Sequence, residues 1–144
     1  MKSVLAAVAL ALLVLTTHCS SSDSDDDGSA DACHPDDADG VIGGTFTLDV
    51  TITDTGFSPV VVQVQNSSTV KLTIHNTGTK AHSFVIGCLS VAGCTVCFPA
   101  ESKVAALDPG GSRTVTFTAP YLEGLYPVSS DVAGDSFAGQ FSLN

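Results

Sequence analysis

Positive charge is scarce in this chain of 144 residues, where five Lys and Arg stand against fifteen Asp and Glu. A surface weighted this way repels phosphate backbones and anionic headgroups, and no Lys/Arg cluster offsets it, so nucleic acid is not an expected partner. Catalytic motifs are lacking as well. There is no glycine-rich phosphate loop, no nucleophile elbow and no pair of carboxylates flanked by apolar residues, so the chain reads as non-enzymatic. Ser130 beside Asp131 and Asp135 has only His82 as a base, with no oxyanion donor to complete a hydrolytic site. No helix-period stretch of useful length follows the N-terminus, and no apolar run reaches the ~20 residues a membrane-spanning helix needs.

The longest apolar run, Val4 to Leu15, follows a short positive start at Lys2 and has the length of a signal-peptide core. Residues 1–18 are therefore expected to be a signal peptide. Leu15-Thr16-Thr17-His18-Cys19 resembles a bacterial lipoprotein box, which implies that Cys19 becomes a lipidated first residue. With Ser20 rather than Asp after it, the resemblance points to an outer membrane lipoprotein of the cell envelope. A secreted protein with an unmodified or disulfide-bonded Cys19 is the alternative. Ser20 to Gly40 carries eight Asp and almost no bulky apolar side chain. Such a segment cannot bury enough apolar area to offset its ordering entropy, so 19–40 is expected to be an acidic, disordered tether. Its aspartate spacing matches no EF-hand calcium loop.

From residue 41 the pattern turns to alternation, and 41–144 is expected to be one folded domain. In Thr45 to Thr53, Phe46, Leu48, Val50 and Ile52 share one face, the period-two mark of a half-buried strand. Val60 to Gln65, Val70 to His75 and Arg113 to Thr118 read the same way. Turn residues separate them at Gly56 and Pro59, Asn66-Ser67-Ser68, Asn76-Thr77-Gly78 and Asp108-Pro109-Gly110-Gly111. Short strands between turn clusters over about a hundred residues predict an all-β antiparallel sandwich with one core, and Pro99 to Ala106 has room for a helical turn or two.

Four cysteines besides Cys19 remain: Cys33, Cys88, Cys94 and Cys97. An even number in an exported chain predicts two disulfides with three possible pairings. Three of the four lie in one loop, so Cys33 joins one of that trio if all are paired. Cys94-Thr95-Val96-Cys97 also has the spacing of a redox or metal motif, and His82 with Cys88 would complete a thiolate site. No strand-to-helix context of the kind that activates redox thiols is visible.

Several segments taken together carry a family resemblance. They are Phe57-Ser58-Pro59 before a valine-rich strand, Val70 to Asn76, His82-Ser83-Phe84-Val85-Ile86, Leu107 to Ser112 before a Thr/Val strand, and Gly124-Leu125-Tyr126. The set resembles the cupredoxin-like domains and implies a Greek-key β-sandwich with a disulfide-bearing loop. The family's blue-copper centre takes two imidazoles, a thiolate and a weak axial thioether. His82 matches the first imidazole. By the same resemblance Ser130 stands where the thiolate belongs, Asp135 at the second imidazole and Phe137 at the thioether. A hydroxyl is a hard donor that stays protonated near neutral pH, and a phenyl ring cannot ligate. The expectation is therefore a degenerate copper site, no cofactor, and a binding or structural module at the envelope with a protein partner there. The alternative is copper held by His82 with Asp135 and Asp131, for metal handling or electron transfer. His75, on an outward face, is expected to be solvated, and His34 has no partner at ligand spacing.

Overall fold

The computed structural model describes residues 43–144. The expected signal peptide, lipidated Cys19, acidic tether, Cys33 and His34 lie outside the described residues. Eleven strands follow in order: β1 (Thr45–Thr53), β2 (Gly56–Ser58), β3 (Val61–Val64), β4 (Thr69–Asn76), β5 (His82–Ile86), β6 (Cys88–Val91), β7 (Cys94–Cys97), β8 (Val104–Leu107), β9 (Ser112–Thr118), β10 (Gly124–Ser129) and β11 (Ala138–Leu143). The stretch expected to hold a helical turn or two contains a single 3-10 turn, Ala100–Ser102, before the chain extends again as β8.

The strands form a four-stranded sheet in the order β2-β1-β4-β9 and a five-stranded sheet in the order β3-β11-β10-β5-β8, with β6 and β7 as a separate ribbon. The all-β cupredoxin-like sandwich is thus the observed architecture. The sheets are mixed rather than purely antiparallel, however. β1 runs parallel to β4, with Thr45 opposite Thr69, and β3 runs parallel to β11. The reason is topological: the chain leaves the first sheet after β2, adds β3 to the second, and returns as β4 beside β1 in the same direction. Alternation in sequence specifies which side chains face inward but not the direction of the neighbouring strand.

Alternation places the core as read. Val50, Ile52, Val70, Leu72 and Ile74 are buried between the sheets, with Phe46 and Leu48 partly buried at the margin. Burying each of the large aliphatics contributes on the order of 1.5–3 kcal/mol. The aromatic rings divide into two groups. Phe98 contacts Phe117, Tyr126 and Phe141 edge-on, while Phe57 contacts Phe84 and Phe137. Tyr126 is fully buried and its hydroxyl donates to the Leu122 carbonyl at 2.9 Å. Burial pushes its pKa up to about 12.

The hydrogen bonds between elements define two poles. At one pole the Ser67 amide donates to Pro120 O, the Asn66 side chain to Tyr121 O, and the Asn66 amide to Asn144 O. The chain enters the sandwich here, at Gly43. At the other pole the Thr77 amide donates to Ile52 O, and the Asn76 side chain donates to Lys80 O and Leu107 O. That pole carries His82.

Candidate functional site

His82 opens β5 and is 1% exposed, so its ring depends on the protein for partners. It has one on each nitrogen. Nδ1 lies 2.9 Å from Asp135 Oδ2, and Nε2 lies 2.9 Å from Asp54 Oδ1. Both carboxylates are ionised acceptors. The Thr79 hydroxyl, then His82, then the Thr79 and Lys80 amides hold Asp54 far below the usual carboxylate range. Burial pushes Asp135 up, but hydrogen bonds from Ser130 and His82 outweigh it and leave it lowered. A neutral imidazole has one N–H, so only the imidazolium donates to both acceptors. Burial opposes that charge, yet the hydrogen bonds and charges of Asp135 and Asp54 prevail and raise His82 above its ordinary 6.5.

The remaining positions close around this ion triad. Phe137 sets its ring edgewise on His82 at 5.4 Å and on Phe57 at 5.0 Å. Ser130 Oγ accepts from the Ser83 and Val132 amides at 3.2 and 3.3 Å and lies 3.1 Å from Ser83 Oγ. The structure brings His82, Ser130, Asp135 and Phe137 to the same end of the sandwich. Asp131 goes elsewhere: Ser83 Oγ donates to its Oδ1 at 2.5 Å, and Lys103 Nζ sits 2.7 Å from its Oδ2. His75, expected to be only solvated, is half-exposed with Nε2 3.4 Å from Asp49 Oδ1.

Two residues of the site were not singled out as site residues in the sequence. Asp54 lies in the β1–β2 turn, twenty-eight positions before His82, and belongs to no motif. Gly78 is the second. A Cβ there would meet Asp54 Oδ1 at 2.5 Å and His82 Nε2 at 3.1 Å, so only glycine lets the Asn76–Lys80 turn close over the pair. The Asn76-Thr77-Gly78 turn signal marked the position but not this reason for it.

Cys88 and Cys97, directly opposite each other on β6 and β7, form a disulfide. Cys94 is disulfide-bonded as well. These bonds take Cys88, Cys94 and Cys97 out of any thiolate site. Cys94 and Cys97 also lie on a strand, not at the start of a helix that would lower a thiol pKa.

The donor set does not fit a blue-copper ion. The two His82 nitrogens point to opposite sides and each already meets a carboxylate, and among the described residues no free thiol or thioether lies near them. Among the described residues no group of three or more His, Cys, Asp or Glu side chains could hold a metal ion. Every buried side-chain nitrogen and oxygen among them has a hydrogen-bond partner, so no orphaned donor awaits a ligand.

Known proteins show the same architecture. An auracyanin from Roseiflexus castenholzii is 22% identical, with a TM-score of 0.54 over 71% of this chain and 99% of its own. A laccase from Pediococcus acidilactici is 16% identical with a TM-score of 0.55, and this chain spans only 28% of its length. The metal-binding domain of a Cu(I)-exporting P-type ATPase from Streptococcus pneumoniae, solved with Cu(I), is 13% identical with a TM-score of 0.51, covering 72% of this chain and 90% of that one. At these identities the likeness is one of fold. No curated protein matches the chain. The family profile described as a cupredoxin-like domain matches residues 6–141, and the chain belongs to that family.

Proposed function

We propose that the chain is a lipid-anchored cupredoxin-like module of the bacterial cell envelope, a non-catalytic binding or structural domain whose copper centre has been replaced by an ion triad. The observation that carries this reading is the His82 ring held at 2.9 Å on each nitrogen by Asp135 and Asp54. A buried proton-borne charge binds the β1–β2 turn, the start of β5 and the β10–β11 loop together, which is the structural work a metal ion would do there. The strong carboxylate–imidazolium bonds and the edge-on Phe137 leave no open coordination position. The His82 pole lies at the end of the sandwich opposite Gly43, and it is the proposed face for a protein partner in the envelope.

The second reading is copper binding. It is supported by His82 at the family's ligand position, by two carboxylates within 3 Å of it, and by copper proteins among the structural neighbours. Cu(II) would have to displace the shared protons, so its binding would be weak and would fall steeply at acidic pH. One titration separates the two readings. The oxidised protein is mixed with one equivalent of Cu(II), and bound metal and visible absorption are measured for the wild type and for His82→Ala. No retained copper in either protein is the expected result. Copper retained by the wild type and lost in His82→Ala would establish the second reading, and an intense charge-transfer band would require a thiolate ligand and refute the site as described.

A further inference from the structure

The five-stranded sheet ends on β3, which pairs only with β11 among the described strands. In that parallel pairing Val60 O accepts from the Gln140 amide and Val64 O from the Asn144 amide, while the Asn66 amide donates to Asn144 O. Residues 60, 64 and 66 thus serve β11, and by alternation Val61 and Gln63 turn their N–H and C=O groups to the free side. The next residue of that set, Gln65, already accepts from the Ser68 hydroxyl at 2.6 Å, which closes the edge at its C-terminal end.

Sheet edges are ordinarily guarded by charge, by proline within the strand or by a covering element. β3 contains neither charge nor proline, and no charged residue occurs anywhere from Thr55 to Val70. The surface beside it is equally bare. Val60, Val61 and Leu125 are three of the four large hydrophobics left exposed among the described residues, and Val60 and Leu125 line a groove of about 430 Å³ with Pro127 and Ala138. Residues 43–144 carry seven Asp and Glu against four Lys and Arg, and none of these stands on β3, β10 or β11.

We infer that β3 is the interface for a second copy of this chain, paired antiparallel across a two-fold axis with Val61 of each copy opposite Gln63 of the other. Charge selects this occupant. Two copies of an acidic domain repel wherever their ionic surfaces meet, and the uncharged face lets them approach without that cost. The edge is also self-complementary. An isologous contact sets the Val61 and Gln63 donors and acceptors of one copy against the same two residues of the other, so none of these groups is left without a partner. Val62 then lies on the axis, and the contact uses up the free edge on both copies, which closes it as a dimer rather than a fibre. None of these residues is part of the ion triad, so the inference stands apart from the copper question.

The mature chain from residue 19, carrying Cys19→Ser so that no acyl chain or extra thiol drives association, is followed by sedimentation velocity and amide hydrogen exchange over a range of protein concentrations. The expected result is a reversible dimer whose Val61 and Gln63 amides gain protection as concentration rises. Val61→Lys brings like charges to the two sides of the axis and should weaken association by at least about tenfold. Gln63→Pro removes an outward N–H that β11 does not use and should act in the same direction, so either variant decides if the other fails to fold. A wild type that sediments as a monomer at every concentration would overturn the interface. Protection of both amides that stays constant with concentration would do the same, by assigning the edge to a strand of the same chain. A dimer unmoved by both variants would place the contact on another face and also refute it.

Discussion

At the scale of single residues, the chemistry of the site rests on one proton. His82 has a raised pKa, so its contribution is complete below its ordinary 6.5 and is lost as pH rises through the folded value. Asp54 and Asp135 are lowered, so theirs is present above the ordinary 3.8 and is lost as pH falls through the folded values. The triad is therefore complete between roughly pH 4 and 6.5, and the urea midpoint should be highest in that window. In Asp135→Asn the alkaline decline should begin at lower pH. The His82 ring proton, followed by NMR, should titrate above 6.5 in the wild type and lower in the variant. Removing one partner of a buried pair costs about 3–5 kcal/mol. The loss here should fall at the low end, because Asp54 still faces the ring. A His82 that titrates below 6.5 would show that burial, not the carboxylates, controls it. His82, Asp135 and Phe137 were singled out in the sequence and adjoin in the structure. Asp54 was not, because its role depends on the Asn76–Lys80 turn folding back onto the β1–β2 turn.

At the scale of elements, the alternating core-facing strands were legible and strand pairing was not. Thr45 to Thr53 announced β1 through its alternation, and the structure gives those bounds. Nothing in that pattern told whether β1 would lie parallel or antiparallel to β4, since both arrangements bury Val50 and Ile52 equally well. The β6–β7 ribbon was likewise read as a long loop. Its strands expose most of their side chains, so they carry no core-facing alternation, and the Cys88–Cys97 bond holds what burial does not. The β10–β11 loop offers the sharper test of positional reading. Ser130→Cys, Asp135→His and Phe137→Met together replace the three side chains that stand at ligand positions. Asp135→His frees Nδ1 of His82, while Asp54 continues to hold Nε2, the carboxylate–imidazole arrangement that orients a ligating ring. The triple variant should bind Cu(II) with an intense thiolate charge-transfer band that the wild type lacks. If the variant folds and shows no such band, Ser130 is not the thiolate position.

At the scale of the whole molecule, charge and polarity run along the chain in an order that matters for where it acts. Eight of the fifteen carboxylates fall between Ser20 and Gly40, and all four basic residues after Lys2 lie in the sandwich. In the proposed lipid-anchored arrangement that acidic segment would be repelled by an anionic membrane surface within a screening length of about 8–10 Å. The anchor proposed at Cys19 is testable in cells. Wild-type protein should partition into the detergent phase and Cys19→Ser into the aqueous phase, because one cysteine carries all the acyl chains. Equal partitioning of the two would remove the lipid anchor from the proposed function.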